Sequence, residues 1–261
     1  MAAATHFSLV KWYLDCVSDA GEVAILYNMH VHWRGIRLNQ SSLIATDGQW
    51  RAERASACAA RIAVSGEKLS IEATHFGLHG EWSAAAAPFE RVLYQSSDSV
   101  VRWNCLQPAA RVRLCLAEKK LTGLGYAECL TLTVPPWKLP MRHLQWGRFV
   151  SEQDAVTWID WRGAYSLCLA NHNGTFIEEP YLSDTEVALG FTTLRLSEPL
   201  SLREGRLAST ILPGAPALAR IFPRSIFNVE ERKWRSRGTL DGASHRSQGW
   251  VIHEDVEWCA R

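Results

Sequence analysis

The chain has 261 residues, with Lys+Arg 28 against Asp+Glu 27, a formal net charge of +1 and 47% hydrophobic residues. That composition excludes wholesale disorder, the even charge argues against a dedicated nucleic-acid binder, and no apolar run approaches the length of a transmembrane helix. The unusual count is tryptophan, 12 against 3 Met and 6 Tyr, which means either an aromatic-rich core or a cavity lined with indoles.

Met1 to Cys16 has no basic leader, and Lys11 and Asp15 interrupt its apolar run, so no secretion signal is expected. The seven cysteines form no CxxC pair. An odd count without a leader predicts free thiols and a cytoplasmic location. Transient contact with a membrane surface stays open.

Period-two alternation dominates the chain. Val10, Trp12, Leu14 and Cys16 alternate with Lys11, Tyr13 and Asp15, and Val23 to Trp33 forms a longer half-buried strand. Asp19-Ala20-Gly21 between them predicts a hairpin. Ala52 to Ala63 fits a helix or a strand. Alternation returns at Ala110 to Leu116, at Tyr126 to Val134, at Tyr165 to Leu169 before an Asn173-Gly174 turn, at Leu194 to Leu196 and at Trp250 to Trp258. Ala215 to Phe222 is the other helical stretch. Many short strands with frequent turns predict an antiparallel all-β protein, sandwich or barrel. Trp33-Arg34-Gly35 recurs as Trp161-Arg162-Gly163, and the Trp-Tyr-Leu-Asp of Trp12 to Asp15 echoes Trp158-Ile159-Asp160. Together they suggest two β modules of similar size, 1–119 and 120–261, with a seam at Lys119 to Gly123.

Alternation puts three carboxylates on apolar faces. Glu128 shares a face with Tyr126, Leu130 and Leu132; Glu254 with Trp250, Ile252, Val256 and Trp258; Asp160 with Val156 and Trp158. A carboxylate there must be paired, hydrogen-bonded or protonated. Either it is matched to an arginine such as Arg148, Arg162 or Arg195, or its pKa rises and it serves as a general acid. The assignment depends on register, since a one-residue slip reverses it. Pro135 to Pro140 reads as a rigid link carrying Trp137. Beyond it, Trp146-Gly147-Arg148 places an arginine within reach of Glu128, or else makes a packed corner without chemistry. His143 lies beside this segment. His30 and His32 share a polar face without a third ligand, so no metal is expected. The chain has neither a phosphate loop nor a nucleophile elbow, so no cofactor is expected.

Trp12-Tyr13-Leu14-Asp15 through Ser18-Asp19-Ala20-Gly21 resembles the opening motif of the carotenoid 1,2-hydratase (hydroxyneurosporene synthase) and AttH-like group of the lipocalin-like superfamily. Gly123-x-Gly125-Tyr126-x-Glu128, Trp146-Gly147-Arg148 and Gly249 to Glu254 are similar to its later motifs. The resemblance implies two lipocalin-like β-barrel or sandwich modules in tandem and a hydrophobic ligand site in or between them. Glu128 takes the place of the group's Asp, Ala127 and Cys129 replace its two histidines, and Arg148 matches its arginine.

The expected function is acid-assisted hydration, cyclisation or isomerisation of a prenyl- or polyene-like molecule. Glu128 would be the acid, Tyr126 and Arg148 would orient it, and Asp160 and Glu254 would be further acids or bases. Trp12, Trp137, Trp146, Trp158, Trp161, Trp250 and His143 would contact the substrate, with indole faces stabilising a developing cation. Two alternatives are a non-catalytic lipid or pigment carrier and an interaction module with exposed indoles.

Overall fold

The structure, a computed structural model, describes residues 7–207, 223, 228–242 and 245–258. The first half supplies β1 (Ser8–Val17), β2 (Val23–Trp33), β3 (Ile36–Thr46), β4 (Arg51–Ser56), β5 (Arg61–Ser65), β6 (Lys68–Ala73), β7 (Leu78–Ala84), β8 (Phe89–Gln95), β9 (Val100–Leu116) and β10 (Lys119–Leu132). The second half supplies β11 (Met141–Val150), β12 (Ala155–Gly163), β13 (Leu167–His172), β14 (Thr175–Glu178), β15 (Tyr181–Leu182), β16 (Glu186–Leu189), β17 (Thr192–Arg206), β18 (Val229–Asp241) and β19 (Arg246–Trp258). The fold is therefore the expected all-β tandem of two curled antiparallel half-barrel sheets. Among the described residues no helix is long and apolar enough to cross a membrane.

The two sheets share one plan. In the first, the order runs β4-β3-β2-β1-β10-β9-β7-β6-β5, with β8 also on β9; in the second it runs β14-β13-β12-β11-β19-β18-β17-β16-β15. In each, the opening strand lies between the second strand and the last. The echoed Trp-Arg-Gly triplets close β2 and β12, the second strand of each sheet, so that echo marks equivalent positions. The Trp12 and Trp158 echo does not, since β1 and β12 hold different places. The first sheet takes in β10, so the sheets change over in the connection 133–140, where Pro136–Lys138 forms a 3₁₀ turn, and not at position 119.

Glycines allow the closing strands to approach. A Cβ at Gly123 would run into the carbonyl of Val17, one at Gly125 into that of Asp15, and one at Gly249 into that of Val150. The Gly-x-Gly motif is thus a packing device for β10 against β1, repeated by Gly249 for β19 against β11. At Gly147 the Trp158 indole fills the space a side chain would need.

Ala52 to Ala63 falls in β4 and β5 and not in a helix, and Ala215 to Phe222 lies outside the described residues. β13 begins at Leu167. Tyr165 precedes it in the turn, where its hydroxyl donates to the Leu93 carbonyl at 2.9 Å. Leu14, Leu26, Leu43, Leu69 and Trp82 fill the first sheet's own interior, and Phe149, Trp158, Ala170, Leu194 and Val251 fill that of the second. The largest cluster joins the sheets, setting Tyr13, Tyr27, Trp103 and Tyr126 against Trp146, Ile159, Trp161, Trp250 and Ile252. Alternation explains the division, because each strand sends one set of side chains inward and the other to the facing sheet.

Candidate active site

The opening strands of the two sheets meet face to face. Tyr13 and Trp146 pack edge to face with ring centroids 5.0 Å apart. Two residues further along each strand, Asp15 and Arg148 form a bidentate pair, Nε to Oδ2 at 2.9 Å and Nη2 to Oδ1 at 2.7 Å. Both side chains are essentially sealed from solvent. Tyr13 donates to Asp15 Oδ2 at 2.9 Å, and Arg148 donates a further bond to the Trp250 carbonyl at 2.7 Å. Burial works against the Arg148 charge, but the Asp15 carboxylate more than offsets it and holds the guanidinium pKa above its ordinary value. Arg148 therefore does not neutralise Glu128. Its partner is Asp15 on the facing strand, and the pair fastens one sheet to the other.

Glu128 is satisfied differently. Trp103 Nε1 and the Tyr126 hydroxyl both donate to its Oε2, at 2.6 and 2.7 Å. The β9–β10 ladder shifts register between Gly125 and Glu128, with Ala127 opposite Gln107 and Glu128 opposite Cys105. This irregularity aims the side chain into the inter-sheet cluster. Burial raises the Glu128 pKa, only partly countered by the Tyr126 bond, Lys11, the Trp103 bond and Lys233. Two neutral donors and distant cations do not make up for lost water, so the carboxyl holds its proton to higher pH than an exposed glutamate.

Glu254 occupies the matching place in the second sheet. Register pairs Tyr13 with Glu128 in the first sheet and Trp146 with Glu254 in the second. Here the partner is an ammonium: Lys233 Nζ, fully buried, donates to Glu254 Oε2. Lys233 lies 3.7 Å from Glu231 Oε1 and 5.7–5.8 Å from the Tyr13, Tyr27 and Trp146 ring centroids. Burial pushes its pKa down to about 7, against the pull of Glu231. Glu231 also feels burial, but Arg203, Lys233 and Lys11 outweigh it and lower its pKa. Arg203 bridges Glu231 at 3.3 Å and Glu53 at 2.7 Å, so the charged groups form one chain leading outward.

This chain ends at a cavity of about 280 Å³ between the sheets. Leu9, Val31, Leu130, Leu132, Leu144 and Trp137 contribute to an apolar wall, while Lys11, Arg203, Glu231 and Glu254 bring charge to it. Trp137 reaches the cavity from the proline-rich connection, and Trp161 from the end of β12.

The remaining sequence candidates lie elsewhere. Trp12 packs in the first sheet's interior and Trp158 in that of the second, both facing away from the inter-sheet cluster. Trp146 contributes to the aromatic surround of Lys233, and Trp250 lies under Arg235 and Arg237 at 4.4 and 3.8 Å. Asp160 pairs with Arg162 at 2.6 Å, the bland reading of its apolar-face position. His143 bonds Asp255 at 2.9 Å, next in sequence to the cavity residue Leu144 and so on the opposite face of β11. His143, Asp255 and Glu257 bring ligand atoms within 4.8 Å of one another, and Arg232 already supplies Asp255 with a counter-charge at 3.8 Å. Lys233, Glu231 and Arg203 escaped the sequence reading, since Glu230 to Lys233 looks like a solvated charge run. The available signal was Val229, which starts an alternation that continues through Glu231 and Lys233.

No family model matches the chain, and no curated protein does either. Several solved structures share its fold. An AttH-type protein of Nitrosomonas europaea superposes with a TM-score of 0.54 at 9% identity, over 98% of this chain and 94% of that one. CghA with Sch210972 gives 0.53 at 9%, over 96% and 88%. Kievitone hydratase from Nectria haematococca gives 0.53 at 9%, over 97% and 89%. At these identities the likeness establishes the architecture, and function rests on the site itself.

Proposed function

We propose that this chain is a cytoplasmic enzyme that transforms a hydrophobic, prenyl- or polyene-like small molecule by acid-assisted addition, cyclisation or isomerisation, using its own side chains as the proton-transfer groups. The observation that carries the reading is an apolar cavity whose wall includes two acids of the second sheet, Glu231 and Glu254, with the buried Lys233 paired to both behind it. A carrier needs only the apolar wall. Two carboxylates and an ammonium brought out of water each cost several kcal/mol before pairing, and perturbed groups of this kind cluster at functional sites.

In this mechanism Glu128, whose pKa burial raises, is the general acid, oriented by Tyr126 and Trp103 and set behind the residues that line the cavity. Glu254 accepts a proton on the other side, with Lys233 setting its charge. The indole faces of Trp137 and Trp161 stabilise positive charge as it develops in the cavity. Asp15 and Arg148 hold the two half-sites in register and touch no substrate. The short motif likeness to carotenoid 1,2-hydratases, and the hydratase named among the structural neighbours, support hydration as a member of this reaction class.

The test begins with extraction of any co-purifying ligand and its identification by absorbance and mass spectrometry. Turnover of that ligand is then compared in wild type, Glu128→Gln and Glu254→Gln. Loss of about a hundredfold or more in Glu128→Gln is expected for a general acid. Unchanged kinetics in both variants overturn the mechanism, and a ligand returned intact by wild type identifies a carrier.

A further inference from the structure

The cavity wall carries polar atoms that a hydrocarbon would leave unanswered. Tyr27 Oη, both amide atoms of Gln40 and Trp161 Nε1 are buried and have no hydrogen-bond partner among the described residues. Each side chain belongs to a residue more than nine-tenths buried, and all three residues line the cavity. Tyr27 and Gln40 are near neighbours on β2 and β3, where Gln40 stands opposite Met29, and they share one face. Trp161 faces them from the second sheet, opposite Leu144 on β11. Buried polar groups are nearly always satisfied, and an orphan carries the full cost of its lost water. Four of the eleven such atoms among the described residues gather at this one cavity, and they come from both of its walls.

The charged groups cannot answer them. Arg203 is held by Glu231 and Glu53, and Lys233 by Glu254 and Glu231. Three of the four orphan atoms are donors or able to donate, and the Gln40 carbonyl is an acceptor. The site therefore lacks acceptor oxygens at two points, with a hydroxyl matching both functions of Gln40.

We propose that the ligand is an uncharged oxygenated hydrophobe, with one oxygen bound at Tyr27 and Gln40 and another at Trp161, and not a bare polyene. This deepens the functional reading above and rests on it. A hydrocarbon is ranked down because it fills the wall and leaves every orphan unmet. A fatty-acid carboxylate is ranked down because Arg203 and Lys233 already face carboxylates and Glu231 and Glu254 add negative charge to the wall, which leaves Lys11, over the Tyr27 ring, as the lining cation without an ion pair among the described residues.

The experiment titrates two fifteen-carbon isoprenoid probes, farnesene and farnesol, against wild type and against Tyr27→Phe, Gln40→Met and Trp161→Phe. Quenching of intrinsic fluorescence reports binding. Farnesene is the more hydrophobic, so apolar burial alone makes it the tighter ligand. The expected result is the reverse, farnesol tighter by about tenfold, the ratio one satisfied buried hydrogen bond supplies. Gln40→Met and Tyr27→Phe are expected to remove that preference. Because no bond is lost in the free protein, these two variants are also expected to melt at or above the wild-type temperature. Equal or tighter binding of farnesene in wild type, a preference that survives both substitutions, or a marked fall in their melting temperature overturns the proposal while leaving the hydrophobic site standing. Failure of both probes to bind wild type overturns the proposal and the functional reading together.

Discussion

The two sheets are built on one plan, and their equivalent positions carry different chemistry. Tyr13 in the first answers to Trp146 in the second, Asp15 to Arg148, and Glu128 to Glu254. The aromatic position is kept for packing, since both rings meet across the interface. The next position carries opposite charges, which makes the joint between the sheets self-complementary. The third position carries the same residue in two electrostatic settings. Glu128 is surrounded by neutral donors and burial raises its pKa, whereas Glu254 is matched to the amine of Lys233. One carboxylic acid thus meets two electrostatic settings, fixed by what faces it and not by its own strand.

The largest test of this comparison is at the joint. Asp15→Asn leaves Arg148 as a sealed charge without its partner, and a loss of about 4 kcal/mol in unfolding free energy is expected. Arg148→Met should cost a similar amount. The double variant should recover much of it, because the charges are then removed together. Urea denaturation of the four proteins closes the cycle, and strictly additive single effects would show that the pair does not join the sheets. A smaller loss, about 3 kcal/mol, is expected for Glu254→Gln, which takes the nearest counter-charge from Lys233. That loss belongs to the charged amine. Losing Glu254 lowers the Lys233 pKa below its value near 7, so the defect should be full well below that pH, shrink as pH rises towards it and be gone above it. A defect that grows toward alkaline pH would contradict the pairing.

Much of this arrangement was legible locally. Val23 to Trp33 is β2 end to end, because a long strand buried on both faces at one end and alternating at the other leaves a clear period. The faces of β10 and β19 also followed from alternation, which placed Glu128 and Glu254 against the inter-sheet cluster. The partners did not follow. Nothing near Arg148 marks Asp15, which reaches it only through the packing of two separate sheets. Trp103 was invisible as the donor to Glu128 because the irregular β9–β10 register decides which residues meet. Gln40 carried no sequence signal at all, since an amide in an alternating strand is ordinarily solvated. The tryptophan excess divides in the same manner: Trp137 and Trp161 line the cavity, while Trp12 and Trp158 fill the interiors of their own sheets.

The finest test sets the same substitution at Glu128 beside the one at Glu254. Glutamine keeps an oxygen for Trp103 and Tyr126 and never ionises. Burial raises the Glu128 pKa in the folded protein above its unfolded value, so the stability this carboxyl contributes is complete below the unfolded value and is lost as pH rises through the folded one. Glu128→Gln escapes that loss. It should match wild type in acid and become the more stable protein as pH rises, the gap opening by about 1.4 kcal/mol per pH unit between the two values and then levelling. Paired urea melts of variant and wild type across that range read the gap directly. Both glutamines would then gain on wild type as pH rises, but from different starting points: Glu128→Gln from parity to a surplus, Glu254→Gln from a defect to parity. A gap that stays flat, or that closes with rising pH, would mean that Trp103 and Tyr126 stabilise an ionised Glu128, and the division of acid from base between the two sheets would fall with it.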